Sequence, residues 1–168
     1  LDLLGPQHPV HGGRSEKQRL RMQPAGPVTT WSAGSIRITS GTVSVHEISG
    51  RLGITADQQF ERDSLMSPHN PTSARRETSV WIRRSGLPED TDLTDHVRAL
   101  VELLDGRREE LAGLSVDCVL ELLLGFGSES GQGGCVLPAH LLAEVGALGL
   151  DIVLDLYPPE PAAIVVSP

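Results

Sequence analysis

From Ser35 to Tyr157 the apolar positions switch repeatedly between a two-residue and a 3.6-residue spacing, which marks short strands separated by amphipathic helices. Ile36 and Ile38 alternate with Arg37 and Thr39, predicting a first strand. A helix is expected directly after it: Ser44 and Glu47 have capping-box spacing, Val43 and Ile48 are placed as a hydrophobic staple, and Val45, Ile48 and Leu52 share a face. Gly53 falls where a left-handed C-cap belongs. A weak strand is predicted at Gln58–Asp63 and a better one at Ser79–Arg84 around Trp81, paired across a long Ser/Pro/Asn/Arg loop.

The second half is more regular. Glu89, Asp90, Asp92 and Asp95 crowd the start of a helix, where the helix dipole favours carboxylates, and Leu93, Val97, Leu100, Val101 and Leu104 form its inward face. Gly106 ends it, and a short turn or helix is expected over Arg107–Leu114. The strongest strand has Val116, Cys118, Leu120, Leu122, Leu124 and Phe126 on its buried face and Asp117, Val119, Glu121 and Leu123 on the other. Pro138 opens a third helix with the stripe Leu137, Leu141, Leu142, Val145 and Leu148. In a last strand, Leu150, Ile152, Leu154 and Leu156 alternate with Asp151, Val153, Asp155 and Tyr157. The order β-α-β-β-α-β-α-β predicts an α+β fold, a ferredoxin-like βαββαβ sandwich extended by one α-β unit, with helices on one face of a mostly antiparallel sheet. Residues 1–34, rich in Gly, Pro, Gln and Arg, are expected to form a flexible N-terminal tail, and 158–168 a Pro-rich C-terminal one. Met22 is a candidate start of translation.

Composition narrows the functions. The 168 residues carry a net charge of -8, aromatics are 3%, and a single Lys stands against thirteen Arg. A nucleic-acid binder needs a basic surface and stacking aromatics, and the two strands that would offer them in an RNA-recognition fold carry Glu121 and Asp155. Leu87–Tyr157 alone holds fourteen acids and three bases. Cys118 and Cys135 have neither redox nor zinc spacing and are read as free thiols. With no run of about 18 apolar residues and no secretory pattern at Leu1, the expected location is the cytoplasm, away from any membrane.

Motifs that could carry chemistry fail on inspection. The glycine-rich stretch Gly125–Gly134 has Ser130 where a dinucleotide fingerprint needs glycine, lacks a P-loop lysine, and carries Glu129 against any phosphate; it is read as a flexible crossover. Glu129 also occupies the serine position of a nucleophile elbow. His46-Glu47 is followed by Gly50 where a zincin would have its second ligand. His96 and His140 are placed on solvated helix faces, and Cys118 among core residues where a thiol is inert. No catalytic residue, cofactor or metal site is expected.

The segments IRITSGTVSVHEISGRLGI, TSVWIRRSG around Trp81, DLTDHVRALVELLD and LPAHLLAEVGALGLDIVLDLY, in this order and spacing, resemble the bacterial family known as domain of unknown function 4279. The resemblance covers 35–157. It implies a fold, and no catalytic residues come with it.

What remains is a surface. If the last two strands are neighbours, Asp117, Glu121, Asp151 and Asp155 coat the sheet's open face alongside Val119, Leu123, Val153 and Tyr157, a mixed surface suited to a protein contact. Trp81 with Arg83 and Arg84 forms a second candidate edge, although a tryptophan in such a strand is more often core. The leading expectation is a non-catalytic protein-interaction module, for instance one neutralising a basic toxin domain. The alternative is a small-molecule binder or enzyme holding an anion with Arg75, Arg76, Arg83 and Arg84 beneath the 64–76 and 125–134 loops.

Overall fold

The computed structural model describes residues 29–128 and 134–157. Five strands, β1 (Thr29–Ser40), β2 (Gln58–Phe60), β3 (Ser79–Arg84), β4 (Val119–Ser128) and β5 (Asp151–Tyr157), form one sheet in the order β2-β3-β1-β4-β5. All neighbours are antiparallel except β4 and β5, which run parallel. Four helices, α1 (Val45–Leu52), α2 (Leu93–Leu103), α3 (Arg108–Leu114) and α4 (Ala139–Ala147), complete an α+β fold.

One sheet face is dry. Ile36 and Ile38 of β1 lie opposite Leu122 and Leu120 of β4, and Trp81 of β3 lies opposite Ile38; all are buried, with α1 to α4 contributing Ile48, Leu100, Leu111 and Leu141 to the same core. Burying each of these side chains contributes roughly 1.5–3 kcal/mol. The helix ends follow local chemistry. The Ser44 hydroxyl accepts the Glu47 N–H at 3.1 Å, Gly53 closes α1 at φ 64°, and Gly106 and Gly149 take positive φ after α3's predecessor α2 and after α4. The Glu47 carboxylate does not close the capping box. It turns forward to Arg51, while the Glu61 carboxylate accepts the Val45 N–H at 3.1 Å.

Several boundaries differ from expectation. β1 starts at Thr29, inside the stretch assigned to a tail, because its core face there is made of Ser32 and Gly34, whose small size hides the strand from a hydropathy reading. β4 starts at Val119, so Val116 and Asp117 sit in the preceding turn with Val116 79% exposed, and Cys118 is only half-buried against the core. At its other end β4 runs to Ser128, so Gly125 and Gly127 are strand residues and not part of a loop. Pro138 is the residue that caps α4 and lies just outside it. β5 places Ile152, Leu154 and Leu156 on the core side in register with Leu122, Leu124 and Phe126, yet they are 38%, 54% and 59% exposed because no helix among the described residues covers them. Residues 1–28 and 158–168, expected to form tails, lie outside the described residues.

Small residues on β1 permit close packing. A Cβ added at Gly34 would stand 2.8 Å from the His96 Cβ and 3.3 Å from Leu100 Cδ1, so α2 lies against the strand backbone itself. Gly34→Ala should therefore destabilise the fold by about 1–3 kcal/mol, the usual cost of overpacking, measured as a lowered urea midpoint. An unchanged midpoint would show that α2 is free to shift.

Candidate functional site

The opposite face of the sheet carries the odd-numbered residues of β1, β4 and β5. Register aligns them in rows: Trp31, Gly127 and Tyr157; Ala33, Gly125 and Asp155; Ser35, Leu123 and Val153; Arg37, Glu121 and Asp151. Arg84 continues the third row from β3. This face is half-open to solvent along its length, and no helix of the described residues lies on it.

An aromatic pair dominates one end. Added Cβ atoms would meet the Trp31 ring at 3.2 Å from Gly125 and at 2.3 Å from Gly127, so the indole lies flat on the two glycines of β4. Tyr157 packs edge-on against it, with ring centroids 4.8 Å apart and an interplanar angle of 63°. The Tyr157 hydroxyl donates to the Asp155 carboxylate at 2.8 Å, which pushes the phenol's pKa above its usual value. The glycines read from sequence as a flexible crossover thus form the seat of a ring.

The charges are less one-sided than expected. Arg37 Nε donates to Glu121 at 2.7 Å, and that bond raises the arginine's pKa further despite some opposing burial. Asp151 stands beside Glu121 on the next strand, and Asp155 four residues further along β5. Three of the four predicted carboxylates are therefore brought onto one face, and among the described residues those of β5 form no ion pair with an arginine. Asp117 is not among them. It precedes β4, where its carbonyl accepts the Ser40 hydroxyl at 2.7 Å and anchors the turn.

Trp81 cannot contact a partner: it is fully buried on the dry face, and its indole N–H donates to the Ser49 hydroxyl at 2.9 Å. Arg83, on the same side, is engaged with Asp57 at 2.8 Å, whose second oxygen takes the Arg84 N–H at 2.7 Å. The Arg84 side chain alone of this group reaches the open face. The loop over 64–76 is an arm folded on itself, with the Arg76 and Ser64 backbones paired at 2.9 Å. Arg75 donates to the Asp63 carbonyl, and the Arg76 guanidinium stacks 4.0 Å above Phe60. An anion cluster of four arginines is not assembled.

A cavity of about 450 Å³ lies where β3 ends and the 85–92 segment takes its place beside β1, between Trp31, Tyr157 and Asp155 at one end and Arg84, Ser85 and His96 at the other. Main-chain bonds from Ser85 to Gly34 at 3.0 Å and from Ser32 to Glu89 at 2.7 Å hold the segment there. His96, expected at the surface, is 1% exposed. Its position is i+3 from Leu93 and i−4 from Leu100, within the apolar stripe, and only its polarity disguised it. Nδ1 meets the Ser85 hydroxyl at 2.6 Å while Nε2 makes no hydrogen bond of normal geometry. Burial lowers the imidazole's pKa, with the Pro88 carbonyl and Asp95 pulling the other way. The pair resembles a nucleophile and its base, but the Ser85 oxygen also accepts the Leu87 N–H at 3.3 Å, and the arrangement shapes the turn after β3.

Burial also pushes the Cys118 thiol up, as expected of an inert cysteine. Among the described residues no group of three His, Cys, Asp or Glu side chains is placed to hold a metal ion, and no helix is long and apolar enough to cross a membrane.

Residues 29–159 match the family model of a domain of unknown function, DUF4279. The chain belongs to that family. The DUF4279 segment begins at Thr29, where β1 begins, and so takes in Trp31, which the sequence-based boundary at Ser35 left out. Neither curated proteins nor solved structures give a match to this chain. In this DUF4279 domain the open face, with its aromatic end and the carboxylates of β5, offers aromatic and charged groups side by side.

Two outcomes test this geometry. Gly127→Ala should lift the indole off β4 and shift its fluorescence to longer wavelength; an unaltered spectrum would contradict the ring-on-glycine contact. His96 supplies a pH dependence. Its folded pKa lies below the unfolded 6.5, so the unfolded chain takes up the extra proton and stability falls as pH drops through and below about 6.5. The loss of melting temperature between about pH 7.5 and 5.5 should be smaller in His96→Gln than in the parent.

Proposed function

We propose that this protein is a non-catalytic interaction module of the bacterial cytoplasm whose open sheet face binds another protein bearing basic side chains. The observation that carries this reading is the juxtaposition on one face of Trp31 and Tyr157 with Asp155 and Asp151, the carboxylates of β5 that form no ion pair among the described residues. Aromatic anchors ringed by charge are the usual makings of a protein hot spot. Free thiols at Cys118 and Cys135 fit a reducing compartment. The all-antiparallel order β2-β3-β1-β4, with helices between β1 and β2 and between β3 and β4, supports reading the core as ferredoxin-like, with α4 and β5 as its extension. An immunity-type role against a basic toxin domain is one form of this function.

A small polar ligand in the cavity beside Gly34 is the second reading, favoured by its volume and by the buried His96 Nε2, which makes no hydrogen bond of normal geometry. It differs from the arginine-lined site first expected, since Arg75, Arg76 and Arg83 are occupied elsewhere. A thermal-shift screen of nucleotides, sugar phosphates and amino acids separates the two, because a ligand of the native state raises the melting temperature.

The interaction reading predicts that a partner captured from the native host elutes at markedly lower salt from the Asp151→Lys, Asp155→Lys variant than from the parent chain. Equal retention by a variant with unchanged circular dichroism would refute the β5 face as the contact.

A further inference from the structure

The cavity beside Gly34 has a definite pattern of charge. Ala33 and Ser35 keep its floor on β1 low, with Arg84 at one end and Trp31, Tyr157 and Asp155 at the other. The ionisable residues that line it are Arg84, Glu89, His96 and Asp155. Burial favours the neutral imidazole at His96, which leaves one cation and two carboxylates. Among the described residues none of these three charged side chains forms an ion pair.

We propose that this cavity binds a free basic amino acid, L-arginine or L-lysine, with its α-carboxylate at Arg84, its α-ammonium at Glu89 and its side-chain cation against Trp31, Tyr157 and Asp155. The assignment rests on the cavity being a small-ligand site and names the ligand class. Charge selects it, because one carboxylate and two cations on the molecule mirror the one cation and two carboxylates of the walls. Spacing selects it too. Arg84 and Asp155 belong to strands separated by β1 and β4, roughly 14 Å across the sheet, so a molecule that meets both must carry its charges several bonds apart. The α-carboxylate and α-ammonium share one carbon, whereas the side-chain cation of arginine or lysine stands at the end of a flexible chain. Glu89 lies on the 85–92 segment that continues from Arg84 and bonds to Ser32, at the end where both α-groups belong.

The aromatic corner suits the side-chain cation. One face of the Trp31 indole rests on Gly125 and Gly127, its other face is turned away from β4, and Tyr157 makes a second wall at 63° to it. Ring faces attract cations, tryptophan most strongly, and a planar guanidinium also stacks on them. The Tyr157 hydroxyl, donating at 2.8 Å, holds the Asp155 carboxylate beside the rings. At about 450 Å³ the cavity falls within the roughly 300–1,000 Å³ of small-molecule sites.

Titrating the full chain with L-arginine tests the assignment through the melting temperature and, since Trp31 lines the site, through tryptophan emission. Both should change with saturation. Agmatine lacks the carboxylate, L-citrulline the side-chain charge and Nα-acetyl-L-arginine the α-ammonium, and each should bind about tenfold more weakly or worse. Arg84→Gln should bind L-arginine and agmatine alike, and Asp155→Asn should bind L-arginine and L-citrulline alike, because each variant has lost the group that tells the two apart. Both side chains are exposed, so unchanged circular dichroism is expected of either variant. L-Arginine that binds no better than its analogues, or discrimination that survives both substitutions, would overturn the proposal. If L-arginine and L-lysine leave the melting temperature unchanged while a nucleotide or sugar phosphate raises it, the ligand class is wrong and the small-ligand reading of the cavity stands; if no compound raises it, both fall.

Discussion

The structure depends on how closely large rings approach the backbone of its central strands. On the dry face, Gly34 of β1 lets α2 settle until the His96 side chain touches the strand, and on the open face Gly125 and Gly127 of β4 let the Trp31 indole lie flat. Both contacts occur at the same end of the sheet, within the first half of β1. A methyl group at any of these positions would force a shift of backbone or ring, since interiors pack at crystal-like density. The close approach of α2 fixes where the 85–92 segment runs, and so the shape of the cavity. The seat of Trp31 fixes the aromatic end of the open face.

This arrangement also explains which parts of the sequence were legible. Helix ends at Ser44, Gly53 and Gly106 are legible in the sequence, because capping depends on one or two residues acting locally. The core faces of β1 and β4 from Ile36 onward followed from alternation. Alternation failed where small or polar residues stand in core positions. Ser32 and Gly34 look like tail, and His96 looks like surface, yet each is buried because its neighbour across the helix-sheet contact is complementary. The glycines of β4 were legible as glycines, but their purpose depends on a tryptophan nearly a hundred positions away.

Trp81 and Trp31 show the same limit from opposite sides. Trp81 drew notice for its arginine neighbours, yet strand alternation sends it inward to Ser49 while Arg84 points outward. Trp31 lies in a segment whose composition looks like tail, and it is the tryptophan that reaches the open face. Pairing two strands decides which of a protein's few aromatics are available to a partner, and pairing is a property of long-range register.

Charge follows the same logic. Counted along the chain, the second half holds a large excess of acid, and the four strand-associated carboxylates look equivalent. In three dimensions they divide. Glu121 is held by Arg37 across the β1–β4 pairing, Asp117 is drawn into a turn, and only Asp151 and Asp155 on the edge strand keep charge that another molecule could meet. An exposed pair of charges contributes little to folding. On a surface that also carries Trp31 and Tyr157, however, the same charges govern which partner approaches and how fast, since complementary potentials act on encounter before any contact forms. The edge strand therefore joins two demands, an apolar side that needs cover and a charged side that must stay open, and the alternation of Ile152, Leu154 and Leu156 with Asp151 and Asp155 keeps them on opposite faces.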